Sequence, residues 1–192
     1  VNTLIIYAHP NPRSFNHAIL ETVDEALRTR GHEVRIRDLY ALGFQPVLGE
    51  ADLAPAEGEG PPPDVQQEQR ALSWADALVF IYPLWWFDRP AILKGLFDRV
   101  FTNGFAFRHT PAGYEGLLRP RKALVIVTTG GREVDFLRMG TREQIVTPTT
   151  DGTLAFCGIT EITDKVLFGI PMAGAEQRQA MLEEIWALAG GL

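Results

Sequence analysis

Three stretches of the chain are too apolar for either face to meet water. TLIIYA (3–8), ALVFIY (77–82) and KALVIVTT (122–129) are short, β-branched and nearly uncharged. A strand buried on both faces needs helices on both sides of its sheet, which is nearly confined to parallel α/β architectures. The intervening segments supply such helices. From Ser14 to Arg30, apolar residues recur at Phe15, Ile19, Val23 and Leu27, on one helical face. PAILKGLFDRVF (90–101) reads as a helix with Pro90 in its first turn. Met181, Ile185 and Leu188 support a closing amphipathic helix over 175–189. EVRIRDL (33–39) alternates as a strand near a sheet edge does, and EITDKVLFGI (161–170) supplies a fifth strand.

The expected fold is therefore α/β: a doubly wound five-stranded parallel sheet of flavodoxin-like order with helices on both faces. One domain over 1–192 accounts for the whole pattern, interrupted by an acidic Gly/Pro-rich stretch at about 49–64 that reads as a flexible loop. That stretch also suits a lid or a partner contact. A net charge of −6 argues against a nucleic-acid backbone as partner. Apolar runs are strand-sized, short of the roughly 20 residues of a membrane span. The opening VNTLIIYAHP lacks the basic start of a secretory signal, and the single Cys157 cannot pair internally. A cytoplasmic protein is expected. His17, His32 and His109 make no metal-ligand spacing, so no metal is expected.

In doubly wound sheets, ligands sit outside the carboxyl ends of the strands at the switch point. Those ends are AHPNPRSFN, PLWWF and TTGG. In the first, the opening of a helix leaves unpaired N–H groups that suit a phosphate. Ser14 adds a hydroxyl, Asn16 an amide and His9 a ring nitrogen; Asn11 and Pro12 equally suit a plain cap and turn. In the second, backbone groups at Pro83 and Leu84 can bond the polar edge of a heteroaromatic ring. Trp85, Trp86 and Phe87 can wall its faces, though such residues also serve oligomer interfaces. In the third, Gly130 and Gly131 let backbone approach a ligand, with hydroxyls from Thr128 and Thr129; a tight turn reads the same way. Neither a P-loop nor G-x-G-x-x-G follows the first strand. A planar ring with hydrogen-bonding edges beside a phosphate describes FMN, or the flavin half of FAD.

AHPNPRSFNHA, YPLWWFDRPAILKGLFDRVFTNGFAF, KALVIVTTGG and FCG at 156–158 closely resemble the flavodoxin-like NAD(P)H:quinone oxidoreductase family. That family includes the mammalian quinone reductases, bacterial modulator-of-drug-activity proteins and ancillary flavoproteins of potassium efflux. The resemblance implies a non-covalent flavin, a homodimer with active sites at the interface, and two-electron ping-pong reduction of quinones by NADH or NADPH. Azo or nitro compounds are further acceptors. By motif, His9, Ser14, Phe15 and Asn16 would bind the phosphate side. Pro83, Leu84, Trp85, Trp86 and Phe87 would hold the ring, with Thr128, Thr129, Gly130 and Gly131 at its pyrimidine edge or ribityl chain. NGFAF, with Phe105 and Phe107, would line the pocket or dimer interface. The mammalian members place a Tyr and a His, both proton donors, after the Gly pair. Phe136 and Arg142 stand in roughly those places here, so Arg142 is the catalytic candidate. The chain also lacks the mammalian C-terminal extension, which favours FMN slightly over FAD. The alternative function is a flavin-bound regulatory subunit docked on a cation-efflux transporter.

Overall fold

The computed structural model describes residues 1–53 and 60–192. Its centre is a five-stranded parallel sheet in the order β2-β1-β3-β6-β7. The strands are β1 (Asn2–Tyr7), β2 (Glu33–Asp38), β3 (Ala77–Pro83), β6 (Lys122–Thr128) and β7 (Glu161–Leu167). From β1 the chain moves outward to β2, then returns to β3 on the other side of β1. That reversal is the switch point, and it lies between the carboxyl ends of β1 and β3.

Helices cover both faces, as the doubly apolar strands require. On one side α1 (Phe15–Thr29) and α6 (Ala175–Ala189) pack against Ile5, Tyr7, Val79, Ile81, Leu124 and Ile126. On the other, α3 (Pro63–Trp74) and α4 (Ala91–Val100) pack against Leu4, Ile6, Leu78, Phe80, Val125 and Val127. Successive residues of one strand thus enter opposite cores, and each large apolar side chain so buried contributes about 1.5–3 kcal/mol. α1 starts at Ser14, whose hydroxyl accepts from the His17 N–H at 3.2 Å. It presents Ile19, Val23 and Leu27 inward, all fully buried. α4 starts after Pro90 and carries Gly95, where an added Cβ would lie 2.2 Å from the Pro46 carbonyl oxygen. Only glycine lets the 43–48 segment cross the helix so closely.

The expected helices and strands form within a residue or two of their sequence bounds, except that the strand expected over 161–170 ends at Leu167. Between Phe101 and Ile159 the chain adds elements that no periodicity announced. An antiparallel hairpin pairs β4 (Phe107–Thr110) with β5 (Gly113–Gly116). α5 (Glu133–Met139) follows β6, then a 3-10 turn at Glu143–Ile145 and a π turn at Thr150–Ala155.

Of the stretch read as a flexible acidic loop at about 49–64, residues 54–59 lie outside the described residues. Its flanks are anchored rather than free. α2 (Glu50–Leu53) places Asp52 against the buried Arg99 of α4, with the Arg99 Nε donating to Asp52 at 3.0 Å and 3.1 Å. Arg99 Nη1 donates to Asp64 at 2.6 Å and to the Gln45 carbonyl at 2.7 Å. One guanidinium therefore holds both sides of the stretch. Among the described residues, no helix is long and apolar enough to cross a membrane.

Candidate functional site

The loop after β1 is built by Asn11. Its side-chain oxygen accepts from the Arg13 N–H at 2.9 Å and its carbonyl from the Ser14 N–H at 3.1 Å. The turn delivers Ser14 to the cap of α1 and leaves the N–H groups of Phe15 and Asn16 without hydrogen bonds among the described residues. Those groups and the positive end of the helix dipole suit an anion. Burial lowers the pKa of His9, and its Nδ1 accepts from the Asn11 N–H at 3.0 Å. The ring is then neutral at pH 7 with its proton on Nε2, a donor. Asn16 is buried beneath this loop. Its Nδ2 donates to the Thr128 hydroxyl at 2.7 Å across the sheet, while its Oδ1 is buried without a partner among the described residues.

At the carboxyl end of β3, Pro83 lies opposite Thr128 of β6, and the Leu84 N–H donates to the Thr128 carbonyl at 2.8 Å. The chain then turns back within four residues. Trp85 and Asp88 exchange both backbone hydrogen bonds, at 2.9 Å and 3.1 Å, around Trp86 and Phe87. These two residues have φ of 51° and 64°. Two consecutive left-handed residues make the hairpin turn that usually takes Asn-Gly. A Cβ-bearing residue there costs about 1–2 kcal/mol. The strain lifts Trp86 clear of the surface, 95% exposed, with Trp85 and Phe87 on either side of it. Trp85 lies 5.8 Å from the His9 ring and Phe87 6.0 Å from Phe136.

Thr128 and Thr129 are buried, and Gly130 opens into space where an added Cβ would meet nothing within 4 Å. The Thr129 hydroxyl donates to the Gly131 carbonyl at 2.8 Å and so shapes the turn. Gly131 backs onto Phe136, whose ring would lie 2.9 Å from a Cβ there. The three sequence stretches are thus brought together, joined by Asn16–Thr128 and Leu84–Thr128. Arg142 is not in the first layer. Its Nε donates to Glu133 at 3.2 Å and its guanidinium lies 5.2 Å from the Phe168 ring, which in turn packs on Phe136. Phe105 is partly buried against the core on α4's side of the sheet. Phe107 stacks with His109, Tyr114 and Phe156 in a second, partly exposed aromatic cluster.

Phe136, which the sequence placed where the mammalian members have a Tyr, packs against Phe87 of the aromatic turn. Two features escaped the sequence reading. Arg178 reaches back from α6 to lie over Phe15 at 5.8 Å, with a buried Nε that has no partner among the described residues; only the apolar positions of that helix were informative in sequence. Behind the aromatic turn, Tyr82, Thr149 and Arg89 form a buried polar group. The Tyr82 hydroxyl and Thr149 Oγ1 are 2.9 Å apart, and Arg89 Nη1 donates to the same Thr149 oxygen at 3.0 Å. Burial pushes the Tyr82 phenol up to about 12, so it keeps its proton.

A buried acceptor and helix N–H groups that have no partner among the described residues, an open glycine cradle and a projecting aromatic wall fit a flavin with a phosphate tail. Comparison with known proteins agrees. The profile of proteins with a flavodoxin-like fold matches residues 1–188. NAD(P)H dehydrogenase [quinone] 1 of Cavia porcellus is 36% identical over 95% of this chain and 76% of its own length. An uncharacterized NAD(P)H oxidoreductase of Haemophilus influenzae is 34% identical over 95% and 91%. The solved structure of an NAD(P)H:quinone oxidoreductase from Methanothermobacter marburgensis superposes with a TM-score of 0.88, at 32% identity over 99% of this chain and 96% of that one. With fold and relatives in agreement, the chain belongs to the flavodoxin-like NAD(P)H:quinone oxidoreductase family.

Proposed function

We propose that this protein is a flavin-dependent NAD(P)H dehydrogenase that reduces quinone-like acceptors by two electrons. The convergence of the β1, β3 and β6 carboxyl ends around Asn16, Leu84 and Thr128 carries the reading. When bound, a flavin supplies hydride acceptance from a nicotinamide and hydride delivery to a quinone.

The chain's own residues do the rest. The N–H groups of Phe15 and Asn16, with the Ser14 hydroxyl and the His9 Nε2–H, receive the phosphate. Backbone carbonyls at Pro83 and Leu84 and N–H groups at Gly130 and Gly131, with Thr128 and Thr129, would hold the polar edge of the ring, and the N–H groups would favour the negative charge that reduction places there. Trp85, Trp86 and Phe87 stack against planar reactants and keep water from the reacting face. Phe136 closes the site from the Gly131 side with no proton to give. Arg142 stands one ring behind it, so its help is electrostatic and acts from a distance. The exposed Trp86 and the cluster of Phe107, Tyr114 and Phe156 are surfaces that a second copy would cover, giving a homodimer.

The test is direct. Purified protein should be yellow, and the mass of the released cofactor decides FMN against FAD. Stopped-flow reduction by NADH and by NADPH, followed by oxidation with quinones, azo dyes and nitroaromatics, ranks donors and acceptors. Protein that stays colourless after incubation with excess FMN and FAD would refute the reading.

A further inference from the structure

The turn at Trp86–Phe87 stores strain, and something must hold it. Its exit is Arg89. That side chain keeps only 7% of its surface, yet the one carboxylate within 4 Å of it among the described residues, Asp88, lies 3.9 Å from Nε and is itself 55% exposed. The Nε–H is buried without a hydrogen bond among the described residues. The guanidinium instead lies 4.9 Å over the Phe97 ring of α4 and donates through Nη1 to Thr149. Thr149 is 2% exposed and precedes the π turn at Thr150–Ala155, with its carbonyl accepting from the Leu154 N–H at 2.9 Å. The same hydroxyl meets Tyr82, one residue before the stretch that enters the turn. Entry and exit of the aromatic turn are thus pinned to a single buried oxygen. Desolvating a guanidinium for one neutral acceptor and a ring face is a poor contribution to stability on its own. Its geometric effect is clear: it denies the turn the freedom to relax.

We propose that Arg89 is a positioning residue that, with Thr149 and Tyr82, locks the strained Trp86–Phe87 turn and so fixes where a planar acceptor stacks. This rests on the function proposed above, in which that turn forms the stacking wall. Arg89 itself touches no reactant. Because the lock belongs to the polypeptide, it can be read with no cofactor bound.

The chain has four tryptophans, Trp74, Trp85, Trp86 and Trp186. Labelled with 5-fluorotryptophan and stripped of any flavin, it should give four fluorine resonances, assigned by single Trp→Phe replacements. In Arg89→Met and in Thr149→Val, the Trp85 and Trp86 resonances should shift or broaden while those of Trp74 and Trp186 stay in place. In the flavin-loaded enzyme, both variants should raise the acceptor KM about tenfold with kcat nearly unchanged, the signature of a displaced binding surface. Arg89→Lys, which keeps the charge and part of the reach, should recover part of the affinity. If Arg89→Met does not fold, Thr149→Val and Arg89→Lys carry the same test. Unmoved Trp85 and Trp86 resonances, or an unchanged acceptor KM beside a lowered Tm, would reduce Arg89 to a packing residue and overturn the proposal. A protein that takes up no flavin would sink the functional reading instead, while the fluorine spectra would still decide this one.

Discussion

Replacing Arg99 by Met removes a guanidinium that three acceptors share, and the structure says which acceptor suffers. The Asp64 side chain is 46% exposed and can turn to water, whereas that of Asp52 is 5% exposed and cannot. The loss is therefore set by one buried carboxylate left without its cation. Breaking a buried pair by deleting one partner costs about 3–5 kcal/mol. For a chain of this length, each kcal/mol is worth about 2–4 °C, so Arg99→Met should melt about 6–20 °C below the parent. A second variant isolates the cause. Arg99→Met combined with Asp52→Leu removes the orphaned charge as well, and apolar replacement of a whole buried pair is often neutral. The double variant should regain most of the lost stability. Thermal unfolding followed by circular dichroism, at one fixed subunit concentration, measures both.

The same cluster gives an acid limb. Burial by itself would raise the Asp52 pKa, but hydrogen bonds from Arg99 and from the Gly49 N–H outweigh it and leave it lowered. Asp64 is lowered mainly by its Arg99 bond. Carboxyls lower in the folded than in the unfolded state stabilise fully above the unfolded value of about 3.9, and that contribution drains away as pH falls through the lowered folded values. Arg99→Met should flatten this limb. A single variant within about 1 kcal/mol of the parent, the value of an exposed pair, would refute the claim that desolvation of Asp52 sets the cost. So would a double variant as unstable as the single one.

Other expectations concern the site. Adding FMN or FAD to flavin-free protein at a hundredfold excess over Kd should stabilise it by about 2.7 kcal/mol, seen as a rise in Tm; no rise with either compound would count against a flavin site. Asn16→Leu removes the amide that joins α1 to Thr128 and the orphaned acceptor beside it. It should weaken flavin binding about tenfold or more in a fluorescence titration, and equal affinity would take Asn16 out of the site. Arg142→Ala should slow each half-reaction by much less than the roughly 100-fold expected for a direct donor to developing charge. A larger loss by stopped flow would move Arg142 into the first layer, and identical rates would deny it any part.

The strands were legible because burial on both faces leaves a signature that no surface segment shares. Once their order implied crossovers, the meeting of 9–16, 83–87 and 128–131 followed from topology alone. The stretch from Phe107 to Ala155 was opaque for physical reasons. FRHT and GYEG are largely exposed on both faces, so they lack strand alternation. α5 spans seven residues, too few to show a helical period. A π turn has no sequence period of its own. Charged residues hid for another reason. Nothing local to Asp52, Asp64 or Arg99 signals their pairing, which exists only after α2, α3 and α4 have packed. Arg89 is the same, because nothing near it in sequence tells of Thr149, 60 residues on.

The register of the sheet also fixes an order of events at synthesis. β1 finds its central partner only when Thr3 meets Ala77, and the site closes only when Asn16 meets Thr128, 112 residues further on. A nascent chain that has not yet released β6 from the ribosome has the loop after β1 and the aromatic turn, but no second wall to bring them against. Loading of any ring must therefore wait for late translation, and a fragment ending before Lys122 should emerge as an unliganded, edge-exposed half-sheet that calls on chaperones.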